Sequence, residues 1–132
     1  MEIAYRVNPP LRPEQVAELF HSSGIKRPIE DLGRIEQMIV HANLTISAWL
    51  GEQLVGIARS LTDFSYCCYL SDLAVRSEYQ KKGIGRELIR RLREAVGDGV
   101  TILLLSSPIA MTYYPALGFT RAENAWYLPR RR

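Results

Sequence analysis

The stretch from Asp72 to Ile89 constrains the fold more than any other part of the chain. An aliphatic run ends at Val75, a polar loop follows, and a helical spacing of Ile84, Leu88, Leu92 and Val96 begins just after Gly83. A strand that feeds a helix through such a turn leaves the helix's first backbone N–H groups without intrahelical partners. Those groups and the helix dipole make a seat for a phosphate or pyrophosphate. Gly83 and Gly85 leave room for close approach of a ligand, and Lys81, Lys82 and Arg86 add positive charge beside it. Two familiar phosphate loops are excluded. No Gly-Lys-Ser/Thr follows at the spacing a P-loop needs, and Leu88 stands where a dinucleotide fingerprint needs its third glycine.

The other elements follow from pattern. Ile3 to Val7 alternates as a short strand and stops at Pro9-Pro10. Pro13-Glu14 opens a helix with Val16, Leu19 and Phe20 on one face, and Gly24 ends it. Ile29 to Val40 reads as a second helix. Leu44 to Leu50 and Leu54 to Leu61 then form a hairpin about Gly51-Glu52-Gln53, and Tyr66 to Val75 is a long third strand. Gly83 to Val96 is a helix. Val100 to Leu105 is an unbroken apolar run, expected to be a strand buried on both faces. A short helical segment comes next, and a last strand is expected around Trp126 to Leu128. The order predicts an α/β (α+β) fold: a mixed, mainly antiparallel central sheet flanked by helices on both faces. Any parallel pair must lie across the helix from Gly83, because parallel pairing needs a long crossover.

With 132 residues the chain is expected to form a single domain over residues 1–132. No stretch reaches the roughly 20 apolar residues of a membrane span, and the N-terminus lacks a signal-peptide pattern, so a cytoplasmic location is the default. Arg130, Arg131 and Arg132 account for the net charge of +3; without them 14 basic residues face 14 acidic ones. A balanced body does not suit nucleic-acid binding, which usually needs a charged face. The two cysteines, Cys67 and Cys68, are neighbours, so they are poorly placed to bridge each other and supply no metal site.

The spacing Gln80-x-x-Gly83-x-Gly85 resembles the pyrophosphate loop of the GCN5-related N-acetyltransferases (GNAT family). Tyr113-Tyr114-Pro115-Ala116-Leu117-Gly118-Phe119 is similar to that family's aromatic-Tyr-x-x-Leu-Gly-Phe signature, and Leu73-Ala74-Val75 to its fourth strand. The resemblance covers Leu44 to Phe119 and implies an acyl-CoA N-acyltransferase-like fold. It also implies an acetyltransferase that moves an acetyl group from acetyl-CoA to a primary amine of a small molecule or protein by direct attack in a ternary complex. Acetyl-CoA is then the co-substrate, no metal is expected, and a homodimer is compatible. Gln80, Lys81, Lys82, Gly83, Ile84 and Gly85 would wrap the pyrophosphate with backbone amides, with Arg86 assisting. Leu73 and Val75 would hold the pantetheine arm through their backbones. Tyr114 would protonate the departing thiolate, a fitting task for a phenol of pKa near 10.

Several assignments stay open at this stage. Pro115 directly follows Tyr114 and disfavours helical geometry there, which makes Tyr113 a rival donor. Ser106-Ser107-Pro108 replaces the Asn often found after the family's fifth strand. Ser106 or Ser107 is expected to take over its cofactor contact, or Ser107 to cap a helix opened by Pro108. Asp72 is the candidate base, set against a structural role; Glu30 and Asp31 suit a helix start, and His21 and His41 a surface. Lys26 and Arg27 are candidates for binding an acidic group on the acceptor, with the region around Trp126. The competing function class is a weakly catalytic acyl-CoA-binding sensor or regulatory module, which would bind the cofactor without transfer. Nucleic-acid binding through the arginine tail would be salt-sensitive and lost with Arg130 to Arg132.

Overall fold

The computed structural model describes residues 2–131. Its strands are β1 (Ala4–Val7), β2 (Leu44–Leu50), β3 (Gln53–Thr62), β4 (Cys67–Val75) and β5 (Thr101–Leu103). Its helices are α1 (Pro13–Ser23), α2 (Leu32–His41), α3 (Ile84–Val96) and α4 (Tyr113–Ala116). The strands form one sheet in the order β1-β2-β3-β4-β5. All neighbours are antiparallel except β4 and β5, which pair in parallel across α3, as the crossover argument requires.

Helices cover both faces. On one side α1 and α2 bury Val16, Leu19, Phe20 and Ile35 against Trp49, Leu54, Ile57 and Ala74. On the other, α3 buries Ile84, Leu88, Ile89 and Leu92 against Leu44, Ile46, Val55 and Leu70. Close approach of α3 to β3 depends on Gly56, where a β-carbon would stand 3.1 Å from Ile84, 3.2 Å from Leu88 and 3.3 Å from Ala48. Gly56→Val is therefore expected to overpack this contact and cost about 1–3 kcal/mol, read as a lower urea midpoint at unchanged slope.

Three expectations change. The second helix starts at Leu32 rather than Ile29, because the Asp31 side chain accepts the Arg34 amide (3.1 Å) and so caps the helix there. The apolar run from Val100 is not buried on both faces. β5 is the sheet edge, so Ile102 and Leu104 pack on the α3 side while Leu103 and Leu105 remain exposed. No strand forms at Trp126 to Leu128, which are exposed and unpaired.

Candidate functional site

The site originates in a bulge. Arg59 pairs with Asp72 and Ser60 with Leu70, leaving Ser71 as an extra residue in β4. The bulge exchanges the two faces of the strand: Leu70 lies on the α3 side, whereas Asp72 and Ala74 lie on the α1/α2 side, with Leu73 and Val75 toward α3. It also marks the end of β4–β5 pairing, which covers only Cys67–Thr101, Cys68–Ile102 and Tyr69–Leu103. Beyond Tyr69 the two strands part. Arg76 donates its N–H to Val55 of β3 (2.8 Å), so alternation turns the N–H and C=O groups of Leu73 and Val75 toward the gap. The Val75 carbonyl is taken by the Gln80 side chain (2.8 Å). The amide groups of Leu73 and the Val75 N–H have no strand beside them among the described residues.

The gap leads to the N-terminus of α3. Gly83, in left-handed geometry (φ 87°), is the N-cap and offers no side chain, and the first intrahelical bond runs from Glu87 N–H to the Gly83 carbonyl. The amides of Ile84, Gly85 and Arg86 precede that bond and belong to the helix's unpaired first turn. Lys81 also takes a left-handed conformation (φ 63°), an unusual one for a residue with a side chain, and Lys81, Lys82 and Arg86 are exposed beside the amides. The loop is clasped from α1: Ser22 Oγ accepts the Ser77 amide (3.0 Å), and Gln80 Nε2 also donates to the Ser23 carbonyl (3.3 Å). Arg76, nearly buried, pairs with Glu18 (2.6 Å).

Helix α4 lies across this end. The Tyr113 hydroxyl rests against Gly85, where a β-carbon would stand only 2.2 Å from it. Tyr114 packs edge-on between the rings of Tyr113 and Phe119, with centroids 5.3 and 5.5 Å away. Pro115 does not displace Tyr114, because it falls in the first turn of α4, where a missing N–H costs nothing. Burial pushes both phenols above their ordinary value near 10. The neighbouring Tyr113 phenol also raises Tyr114, and the Arg27 guanidinium partly opposes this; Arg86 partly opposes the rise at Tyr113. The two rings thus differ in surroundings: the Tyr113 hydroxyl meets the start of α3, while Tyr114 packs between Tyr113 and Phe119.

Asp72 is not placed as a base. It is 1% exposed, and one carboxylate oxygen accepts Arg27 Nε (2.5 Å) while the other accepts Arg59 Nε. Arg27 is spent in the same network, donating also to the Ser71 and Lys26 carbonyls (2.7 and 2.6 Å); its guanidinium thereby pins the bulge rather than reaching out to an acceptor. Lys26 stays exposed. Arg59 escaped the sequence reading, although a charge in the buried pattern Leu54 to Leu61 signalled that it must be paired. Ser107 precedes Pro108, which opens a single 3-10 turn, but its side chain makes no cap; it remains exposed. Cys67 is exposed and Cys68 buried on opposite faces, and both are free; burial raises the Cys68 thiol and leaves it a poor nucleophile.

A sheet splayed between two parallel strands, with unpaired strand amides leading to a glycine-capped helix start, has the donors that an extended ligand ending in phosphate would need. Comparison with known proteins specifies the class. Residues 9–127 match the family model described as an acetyltransferase (GNAT) domain, and the chain belongs to that family. It is 28% identical over 127 residues to the N-acetyltransferase ycf52 of Porphyra purpurea, covering 86% of this chain and 70% of that protein. Among solved structures, the GNAT-family acetyltransferase SP0256 of Streptococcus pneumoniae superposes with a TM-score of 0.78 at 20% identity, over 98% of this chain and all of that one. AAC(6')-Iy, in complex with the bisubstrate analog CoA-S-monomethyl-acetylneamine, gives a TM-score of 0.72 at 16% identity over the full length of both chains. At these identities the two structures speak for the fold. The protein is an acetyltransferase of the GNAT family. No helix among the described residues is long and apolar enough to cross a membrane.

Proposed function

We propose that the chain transfers an acetyl group from acetyl-CoA to the primary amine of a small molecule or protein by direct attack. The observation that carries this reading is the open edge of β4 leading into the start of α3, whose first amides no side chain caps. An amide-bearing arm can add to Leu73 and Val75 as a strand would, while a pyrophosphate meets the amides of Ile84, Gly85 and Arg86 beside Lys81 and Lys82. Gln80 serves through its side chain, fixing the loop against Val75 and Ser23, and its hold on the Val75 carbonyl leaves the Val75 N–H for the arm.

In the reaction, the amine nitrogen attacks the thioester carbonyl carbon. A C–N bond forms, the C–S bond breaks, and Tyr114 gives its phenol proton to the sulfur that leaves. The proton lost by nitrogen passes to water and restores the phenol. Asp72 takes no part, since both its oxygens are committed to guanidinium groups. The exposed Lys26, in the loop that Arg27 anchors near Tyr114, offers its ammonium to an acidic group on the acceptor. Two unpaired cysteines fit a reducing compartment such as the cytoplasm.

Calorimetric titration with acetyl-CoA tests the assignment. A carboxylate at position 85 would repel the pyrophosphate and collide with Tyr113. Gly85→Glu is thus expected to weaken binding by about 100-fold or more, the loss of roughly two charge-assisted hydrogen bonds. Absence of binding by a folded wild type sinks the cofactor site. Binding without thiol release in an amine screen would instead favour a sensor.

A further inference from the structure

Arg76, directly after β4, is 9% exposed, yet its guanidinium is only half satisfied. Nη2 donates to Glu18 Oε1 (2.6 Å), while the buried Nε–H meets no acceptor among the described residues. These two N–H groups lie along one edge of the guanidinium, the edge that a carboxylate grips with both oxygens. A charged donor buried without a partner is costly. Glu18, whose side chain is 65% exposed, answers only half of that edge and is free to move off it.

Arg76 lines a cleft of about 270 Å³ between the start of α1, the turn joining β2 to β3 and the end of β4. Common ligand pockets hold roughly 300–1,000 Å³, so this one suits a molecule of amino-acid size. It lies on the α1 side of the sheet, across from α3 and the seat made by its first amides. Charge decides what it takes. Arg12 and Arg76 set two positive charges against three negative ones from Glu14, Glu18 and Glu52, leaving one negative charge in excess. A plain anion is disfavoured by that excess, and a plain amine leaves the Arg76 edge unanswered. A basic α-amino acid, with one carboxylate and two cationic groups, meets both demands. We propose that the cleft binds a free basic α-amino acid. Its carboxylate takes Nε and Nη2 of Arg76 together, Glu18 swings off the guanidinium, and the two cationic groups meet Glu14, Glu18 and Glu52. The bound molecule then rests on the residue that opens the loop toward Gln80, since the Arg76 carbonyl accepts the Tyr79 N–H (2.9 Å).

Calorimetric titration with L-lysine, in the absence of acetyl-CoA, tests the site. The folded wild type should bind it saturably. Cadaverine, which lacks the carboxylate, and L-norleucine, which lacks the second ammonium, should each bind about 10-fold more weakly or worse. Arg76→Lys keeps the charge but not the two-pronged edge, and should also lower the affinity about 10-fold or more. Glu52→Gln, an exposed change in the turn, should lower it about 2–5-fold and guards against misfolding of the first variant. No saturable binding of L-lysine by the wild type overturns the proposal, because Glu18 then suffices for Arg76. Equal affinity for cadaverine or L-norleucine overturns it too. So does an affinity untouched by both substitutions, the result expected if lysine binds only as an acceptor at the reaction site.

Discussion

Asp72→Asn is expected to destabilise the fold by about 3–5 kcal/mol, the loss typical when one partner of a buried ion pair is removed. In a domain of this size that lowers the melting temperature by roughly 10–20 °C. Asparagine keeps the volume of Asp72 but leaves the Arg59 guanidinium, 8% exposed, facing an amide that cannot balance its charge. It also removes the anchor of Arg27, which ties the loop between α1 and α2 to the Ser71 bulge. Thermal unfolding followed by circular dichroism measures the loss. The same variant separates an anchor from a base. A base would lose turnover at an unchanged melting temperature, whereas an anchor loses stability first and keeps most of its turnover well below the new transition. A melting temperature within about 2 °C of wild type, little more than half a kcal/mol in such a domain, would reject the anchor.

The difference between Asp72 as read from sequence and as folded shows what local pattern can carry. The helix start at Gly83 was legible because a left-handed residue at its N-cap favours glycine, and sequence records that need directly. The layered sheet was legible from periodicity for the same reason. The bulge at Ser71 was not, since nothing in Leu70-Ser71-Asp72 distinguishes an extra residue from a regular one; only the register against Arg59 and Ser60 reveals it. Once the bulge is present, Asp72 must sit on the α1/α2 face, where Arg59 and Arg27 meet it. The contact between the Tyr113 hydroxyl and Gly85 was hidden likewise, because it joins residues 28 positions apart through the placement of α4. Trp126 to Leu128 have the residue types of a strand, yet propensity alone does not form one, and these residues stay exposed and unpaired. The run from Val100 was misread for a related reason: Leu103 and Leu105 are apolar yet exposed at the sheet edge, so residue type alone does not record burial.

In the proposed reaction, Tyr114→Phe should lower kcat by about 10²–10⁴-fold, the usual worth of a positioned general acid, with little change in KM for acetyl-CoA. Tyr113→Phe should do the reverse. Its hydroxyl rests on Gly85 beside Arg86, at the phosphate end of the gap, whereas Tyr114 packs between Tyr113 and Phe119 and is the phenol assigned to the thioester. The pH profile carries the sign. A phenol donates while protonated, and burial keeps the Tyr114 proton bound to higher pH than in water. Turnover that depends on it should therefore stay level through neutrality and fall only above pH 10. That fall should vanish in Tyr114→Phe, whose residual rate has no phenol left to titrate, and persist in Tyr113→Phe. If Tyr113→Phe instead takes the full loss in kcat and removes the alkaline fall, the two adjacent tyrosines have exchanged roles. The proton would then come from the ring that touches the start of α3, and the thioester would have to lie beside Gly85.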